Sequence, residues 1–359
     1  MSVNLNIIGL SQSGRTSIFN ALTKGSIDLT ARNNAVNMGI AKVPDDRLNA
    51  LRELFLPKKF TLAEVCYTET GSSVKTIEGN SLNQMAQSDA LVAVVRAFNN
   101  DIVAHQNGKI DAVRDMEELF LEISFSDLGI IEKRLEKIAS QMRGAKSIER
   151  GCLQEEEILI RRLQKNLEAG TPIRQTTLTT HEENLLNGYR FLSQKPLLVI
   201  INIDESDLPK ARDIEVLFKE KFKGTGQNFI ALCARLEAEL AELPEEECAE
   251  MCRDFGISEP GLNRVIRESF ALLNLISFFT AGTDEVRAWP ILKGTNAQKA
   301  AGKIHTDIER GFIRAEVIYY QNLLEKKSIA EVKKAGLFRL EGKTYTVSDG
   351  DVINFLFNV

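Results

Sequence analysis

The sequence of 359 residues contains no apolar run that approaches the roughly 18 residues needed to cross a bilayer. Its first residues alternate like a strand and show no secretory signal pattern, so we expect a cytoplasmic protein. Its five cysteines form no Cys-x-x-Cys pair, and no histidine near Cys248 and Cys252 completes a metal site, so we expect free thiols. The net charge of −5 argues against a globally basic nucleic-acid binder but leaves room for a local basic patch.

A strand, a glycine-bearing loop and an amphipathic helix follow one another between Val3 and Leu22. The spacing Gly9-x-x-x-x-Gly14-x-Thr16 fits the P-loop pattern at every fixed position but one, where Arg15 replaces lysine. Glycines permit close backbone approach, and the N–H groups at a helix start attract phosphate. The alternative is a glycine turn that opens an ordinary helix. The predicted phosphate contacts are Gly9, Gln12, Ser13, Gly14, Arg15, Thr16 and Ser17, and Thr16 can also offer its hydroxyl to Mg²⁺.

Three further loops follow apolar strands, at residues 68–73, 202–205 and 233–234. The first occupies the place of a γ-phosphate sensor, and the second is where P-loop switch proteins recognise the base. Because ligands lie at the carboxyl ends of strands in open α/β sheets, we expect these loops to meet the P-loop at one site. The predicted contacts in them are Gly71, Asn202, Glu205, Cys233 and Ala234.

The alternation of patterns along the chain predicts three domains of an α/β protein. A mainly parallel sheet of the P-loop NTPase type is predicted for residues 1–118 and 191–275. Residues 119–190 have apolar side chains at steps of three and four, which predicts an inserted antiparallel helical hairpin with its break between Gly144 and Gly151. Residues 276–359 mix short strands with a helix and predict a compact β-grasp-like domain.

Three individual elements are predicted from local pattern alone. Phe60–Tyr67 is expected to form one strand, Ala297–Arg310 one helix and Tyr345–Val347 another strand. Residues 3–8 and 197–201 are expected to lie in the same sheet, since both are apolar strands that end in candidate ligand loops.

The C-terminal region carries short motifs that point to a known family. They are Phe278-Phe279-Thr280-Ala281-Gly282, Glu285-Val286-Arg287-Ala288-Trp289, His305-Thr306-Asp307, Gly311-Phe312-Ile313-Arg314-Ala315-Glu316-Val317, Tyr345 to Val352 and Phe355 to Val359. With the helical insert and Asn202-x-x-Glu205 in place of the guanine-reading Asn-Lys-x-Asp, the sequence resembles the YchF family of Obg-related ATPases essentially from end to end. The resemblance implies a C-terminal TGS domain and a preference for ATP over GTP, with Mg²⁺.

The sequence departs from that family where metal and γ-phosphate are held. Arg15 stands at the P-loop lysine, and Thr68 stands at the aspartate of the family's Asp-x-x-Gly motif. Glu69 is one residue away, but the alternation of a strand is expected to turn it to the opposite face. Further departures are Ser72 in place of a hydrophobic residue, and Asn33 near the switch threonine, with Thr30 as the nearby hydroxyl.

These residues and the resemblance together predict a nucleotide-binding regulatory switch that is associated with ribosomes or RNA. Because phosphoryl transfer depends on positioning and charge neutralisation, the altered groups predict weakened hydrolysis of ATP. The alternative is a catalytically inactive scaffold or partner-binding module that no longer uses nucleotide. Contact with a ribosome or RNA is assigned to the TGS-like domain and the helical insert. In the domain, candidate contacts are Arg287, Trp289, Lys293, Lys303, His305, Arg310 and Arg314, although Trp289 could instead belong to the core.

Overall fold

The computed structural model describes residues 3–24, 36–70, 80–100, 105, 108–224 and 226–358. The chain divides into two compact units, of which the first comprises Val3–Gly39 and Cys66–Val265, and the second comprises Ile40–Val65 and Ile266–Val359. Residues 40–65 therefore group with the C-terminal unit, whereas the sequence boundaries assign them to the nucleotide-binding domain.

The first unit is built on a six-stranded sheet with the strand order β2-β4-β1-β5-β6-β7. The strands are β1 Asn4–Gly9, β2 Val36–Lys42, β4 Glu64–Thr70, β5 Ala90–Ala97, β6 Leu197–Ile203 and β7 Asn228–Leu232, and β3 is Lys59–Thr61 of the other sheet. The helices between and after them are α1 Arg15–Thr23, α3 Asn80–Gln87, α4 Ala112–Met142, α5 Ser147–Glu168, α6 Thr180–Leu186, α7 Ala211–Lys221, α8 Ala234–Glu242, α9 Glu245–Asp254 and α10 Gly261–Leu272. The remaining helix of this part of the chain, α2 Asp46–Phe55, belongs to the second unit.

The central strands of this sheet are parallel, largely apolar and buried. β1 pairs in parallel with β4 and β5, and β6 pairs in parallel with β5 and β7. All seven residues of β6 are buried, which is why the sequence shows a continuous apolar run there instead of an alternating one. The predicted α/β fold, with residues 3–8 and 197–201 in one sheet, is confirmed. Parallel pairing also brings the carboxyl ends of β1, β4, β5, β6 and β7 to one edge.

Two long helices, α4 and α5, form the predicted antiparallel hairpin. Their shared core contains Ile131, Leu159, Ile160, Leu163 and Leu167, at the spacing of three and four that the sequence shows. The hairpin turn is shorter than predicted, since α5 begins at Ser147 and includes Gly151. A Cβ at Gly151 would have no described atom within 4 Å outside its own turn of helix. Close packing therefore does not require a glycine there, and the helix continues through it.

The second unit is built on a mixed sheet with the strand order β11-β10-β12-β8-β9-β3. Its further strands are β8 Leu275–Ala281, β9 Glu285–Leu292, β10 Phe312–Tyr319, β11 Arg339–Glu341 and β12 Asp351–Phe357. Its helices after α10 are α11 Ala297–Ile304, α12 Thr306–Arg310, α13 Tyr320–Lys326 and α14 Ile329–Lys334. Phe278, Ile291 and Phe355 pack with the small side chains of α11, which allow the helix to lie close to the sheet.

Three local predictions differ from the structure. The predicted strand Phe60–Tyr67 is two strands in different sheets, β3 and β4, because the chain changes sheet at residues 62–63 without a glycine or proline. The predicted helix Ala297–Arg310 breaks at His305, where the backbone is extended. The Nδ1 atom of His305 caps α12 by accepting from the Asp307 N–H. The predicted strand Tyr345–Val347 is reduced to a single bridge between Asn296 and Thr346.

Among the described helices, none is long and apolar enough to span a membrane.

Candidate nucleotide-binding site

The P-loop pattern folds as a tight connection between β1 and α1. Gly14 lies at φ +96° immediately before Arg15, the first residue of α1, and a Cβ there would overlap the side-chain nitrogen of Asn202. A Cβ at Gly9 would overlap the carbonyl oxygen of Val94 on the neighbouring strand. Both glycines are therefore required by close approach, and Gly14 also by its left-handed backbone.

Asn202 joins three of the four predicted loops. Its side-chain nitrogen donates to the Ser13 carbonyl at 3.1 Å, and its side-chain oxygen accepts from the Ala234 N–H at 2.9 Å. Asn202 is 4 % exposed and is still part of β6, whereas the sequence predicts it in the loop that follows. The amide thus fixes the P-loop relative to the starts of α1 and α8, as expected from the shared edge of the sheet.

Glu69 lies directly behind the P-loop threonine. Thr16 donates its hydroxyl proton to Glu69 Oε1 at 2.7 Å, and the Asn37 amide donates to Glu69 Oε2 at 3.0 Å. Glu69 is 2 % exposed, while Thr16 is exposed at the surface. The expectation that Glu69 faces away from the site is therefore wrong.

Thr68 accounts for that correction. Thr68 is the residue that faces away from Thr16. Its hydroxyl accepts from the Asn6 amide at 2.9 Å and donates to the Leu5 carbonyl at 3.3 Å. The pairing register places Asn6 beside Thr68 and Ile7 beside Glu69. Strand alternation does separate Thr68 from Glu69, as expected, but the sequence could not show which of the two faces α1.

Arg15 occupies the lysine position of the P-loop, and its side chain extends toward the end of β4. Its guanidinium donates to the Thr70 carbonyl at 3.3 Å, at the end of β4. Burial lowers the pKa of Arg15, and the nearby Glu69 carboxylate opposes that shift. Because arginine titrates so far above neutrality, the group remains a cation beside the carboxylate.

The loop offers the groups that a phosphate and a magnesium ion require. The first turn of α1 leaves backbone N–H groups without intrahelical acceptors, and these carry partial positive charge. The Ser13 hydroxyl is 2 % exposed and has no hydrogen-bond partner among the described residues. Thr16 gives its proton to Glu69 and so keeps its oxygen lone pairs for a cation, and Mg²⁺ prefers such oxygen ligands. The residues present therefore fit a magnesium-bound phosphate chain.

The other predicted contacts divide into two groups. Gln12 at φ +64° and Ser17 are exposed on the loop and the first turn of α1, and Glu205 is exposed where β6 ends. Cys233 and Ala234 are buried at the start of α8, where burial raises the pKa of the Cys233 thiol. The predictions for Gly71, Ser72, Thr30 and Asn33 lie outside the described residues.

A buried pair beneath the P-loop contains two residues that the sequence did not single out. His105 Nε2 lies 2.6 Å from Asp115 Oδ2, and both side chains are almost fully buried. The two residues line a cleft together with Ser11, Ser13 and Arg96. The only signal in the sequence is an acidic residue on the apolar face of α4, one position before Met116, and that signal is weak on its own.

In the second unit, Trp289 is partly buried. Its indole N–H donates to the Thr280 hydroxyl at 3.0 Å, and its ring packs beside Phe278 at a centroid distance of 6.4 Å. The Arg287 guanidinium lies 3.9 Å from the centroid of the indole. The alternative that Trp289 belongs to the core is therefore partly correct, and the indole already has an arginine over its ring.

The family is shown by comparison with known proteins over the whole chain. Proteins named "Ribosome-binding ATPase YchF" from Bacillus subtilis and Haemophilus ducreyi are 38 % and 39 % identical to this chain, and each alignment covers 100 % of both sequences. The chain belongs to the YchF family. The family model YchF-GTPase_C, described as "Protein of unknown function (DUF933)", matches residues 275–358.

The fold agrees with a solved YchF structure. The structure of the Schizosaccharomyces pombe YchF GTPase matches this chain with a TM-score of 0.85 and 30 % sequence identity. The match covers 99 % of this chain and 98 % of that one, so it includes elements of each unit. The resemblance inferred from the motifs is thereby confirmed.

Proposed function

We propose that this YchF protein binds a purine nucleoside triphosphate with Mg²⁺ at the P-loop, prefers ATP to GTP, and acts as a cytoplasmic, ribosome-associated regulatory switch. The observation that carries the proposal is the Asn202 amide, which joins the Ser13 carbonyl and the Ala234 N–H. This contact gathers loops from three parallel strands at the carboxyl edge, where open α/β sheets bind ligands. The names of the relatives support both the nucleotide and the ribosome.

Each part of the site has a role in this proposal. The N–H groups at the start of α1 and the Ser13 hydroxyl would bind the phosphates, and Arg15 would add a cation at their side. Thr16 would hold the metal, which supplies charge neutralisation when bound. Glu205, exposed beyond Asn202, would lie beside the base without the buried carboxylate that reads guanine, which favours ATP.

Hydrolysis is expected to be slow because of Arg15. A guanidinium is wider and flatter than an ammonium, and in this structure it is directed to the Thr70 carbonyl. A lysine would reach the phosphates as a compact charge, whereas Arg15 must leave a backbone contact to do so. Catalysis of phosphoryl transfer rests on such positioning, so a displaced cation lowers the rate more than it lowers binding.

Calorimetric titration of the full chain with ATP and with GTP, each with Mg²⁺, tests the ligand. We expect ATP to bind more tightly than GTP, and Arg15→Ala to weaken ATP binding by about tenfold through loss of one charged contact. The matched control is Arg212→Ala, since the Arg212 side chain is 77 % exposed in the same unit. A wild-type protein that binds neither nucleotide would contradict the proposal and favour the scaffold alternative.

The domain roles are proposed on the same basis. Residues 1–118 and 191–275 hold the nucleotide, apart from residues 40–65, which group with the C-terminal unit. Residues 119–190 form the helical insert, and residues 276–359 form the TGS-like domain that contacts the ribosome. Lys293 and Arg314 are exposed on this last domain. His305 is less suited to bind phosphate, because its Nδ1 lies 3.4 Å from the Asp307 carboxylate.

Sedimentation with ribosomes at two salt concentrations tests the partner surface. The full chain is required, because a fragment of residues 276–359 would lack β3 and α2 of its own unit. We expect the double variant Lys293→Glu, Arg314→Glu to sediment less at low salt than wild type, since phosphate contacts depend on cations. The variant Lys133→Glu, Lys137→Glu makes the same change of charge on exposed positions of α4 and tests the insert. Equal sedimentation of all three proteins would contradict both assignments.

A further inference from the structure

Glu69 carries a carboxylate into the P-loop although the family motif puts its acid one residue earlier. The carboxylate accepts from Thr16 through one oxygen and from Asn37 through the other. It therefore joins the threonine of the P-loop to β2. A carboxylate this deeply buried needs such partners, and the Arg15 cation beside it supplies the opposite charge.

We propose that Glu69 is the positioning carboxylate of the magnesium site and replaces the aspartate that the family motif has at the position of Thr68. The inference rests on the proposed nucleotide function and names a residue of that same site. Glu69 acts through Thr16, because Thr16 is exposed and Glu69 itself is buried.

The hydrogen bond between Thr16 and Glu69 gives the inference its chemistry. A hydroxyl that donates its proton to a carboxylate points its lone pairs away from that carboxylate, and here Thr16 is exposed whereas Glu69 is buried. The negative charge behind the hydroxyl also makes its oxygen a better ligand for a cation. Partners of this kind set the orientation and the basicity of a metal ligand.

The hydrogen bond to Oε2 of Glu69 explains why the Glu69 side chain is held in one rotamer. The Asn37 amide fixes Oε2 at 3.0 Å, so Oε1 is held toward Thr16. Because successive side chains of a strand point to opposite faces, Glu69 and not Thr68 is directed toward Thr16. Thr68 cannot take this role, because its side chain contacts Asn6 and Leu5 on the other face of the sheet.

The magnesium dependence of ATP affinity tests the assignment. ATP is titrated into the full chain by calorimetry with Mg²⁺ and with a chelator, for wild type, Glu69→Gln and the control Glu64→Gln. Glu64 lies on the same strand and is exposed. We expect Glu69→Gln to reduce the enhancement of ATP affinity by Mg²⁺ by about 10–100-fold. In chelator, its affinity for ATP should equal or exceed that of wild type, because a negative charge near the phosphates is removed.

The two affinities, with Mg²⁺ and with chelator, distinguish loss of a metal site from loss of structure. A damaged P-loop would weaken ATP binding in chelator as well as with Mg²⁺, and would overturn the assignment. Retention of the full enhancement in Glu69→Gln would also overturn it, as would a wild type that binds ATP equally well with and without Mg²⁺. A wild type that binds no nucleotide would instead overturn the proposed function.

A double variant gives a second, independent check. Adding Thr68→Asp to Glu69→Gln restores an acid at the position of the family motif. We expect no recovery of the magnesium enhancement, because the new carboxylate would face Asn6. Recovery in the double variant would show that position 68 reaches the site and would overturn the statement that only residue 69 of this strand can serve Thr16.

Discussion

Replacing Asn202 by alanine is expected to loosen the P-loop and the start of α8 together. The change removes the Asn202 amide nitrogen, which donates to the Ser13 carbonyl, and the amide oxygen, which accepts from the Ala234 N–H. Ser13 and Ala234 are 2 % and 3 % exposed, so water cannot readily replace the lost partners. Two buried backbone groups would be left without hydrogen bonds.

The magnitude follows from the cost of such groups. An unsatisfied buried donor or acceptor costs about 1–3 kcal/mol, so two of them predict a loss of about 2–6 kcal/mol in the free energy of unfolding. The loss should be present without nucleotide, because both contacts exist within the protein itself. Asn20→Ala, at an exposed position of α1, should change the free energy of unfolding by less than about 0.5 kcal/mol.

Urea unfolding of the full chain and amide hydrogen exchange test this prediction. In wild type the Ala234 N–H should be protected, and in Asn202→Ala it should exchange faster than its neighbours on α8. Asn202→Asp keeps an acceptor for Ala234 but sets a carboxylate oxygen against the Ser13 carbonyl, so protection of Ala234 should persist while stability falls. Wild-type stability and unchanged exchange in Asn202→Ala would refute the bridging role.

Two further predictions concern stability. Burial raises the pKa of Glu237 from 4.5 to about 7 and that of Asp127 from 3.8 to about 6, so the folded protein binds these protons more tightly than the unfolded chain. Stability should therefore fall as pH rises from 3.8 to about 7. Urea unfolding across that range should show a smaller fall for Glu237→Gln than for wild type, and an equal fall would contradict the assignment. Arg47 contacts Asp45 and Asp349 and lies 5.2 Å from the centroid of the Phe279 ring, so Arg47→Lys should cost about 1–2 kcal/mol in chemical unfolding. Lys58→Gln breaks an exposed pair with Asp284 and should cost less than about 1 kcal/mol, so equal losses in the two variants would contradict this reasoning.

The parallel sheet and the helical hairpin could be predicted because their signals are local and repeated. The apolar run of β6 and the steps of three and four in α4 and α5 each extend over several residues. The P-loop could be predicted because glycine spacing reflects a backbone requirement, which Gly14 illustrates. Such features depend on neighbours in the sequence.

The role of Glu69 could not be predicted, because it depends on register. Alternation separates Thr68 from Glu69, but only the pairing of β4 with β1 decides which of them faces Thr16. The grouping of residues 40–65 with the C-terminal unit was missed for a similar reason. β3 pairs with β9, more than two hundred residues away in the chain, and no local pattern reports such a partner.

Helix α4 has a mechanical consequence for the first unit. Its 31 residues give it a length of about 46 Å, and it passes without interruption from the core beside Met116 to the core of the hairpin around Ile131. Near its middle, the Asp127 carboxylate accepts from the N–H groups of Leu192 and Ser193, so the rod is held at a pivot. From that pivot to Met142 the arm is about 22 Å long, and a tilt of about 5° would move its tip by about 2 Å. Asp115, near the start of the same helix, contacts His105 beneath the P-loop. A rotation about Asp127 that displaced Asp115 would therefore move the far end of the hairpin the opposite way, by a slightly larger distance.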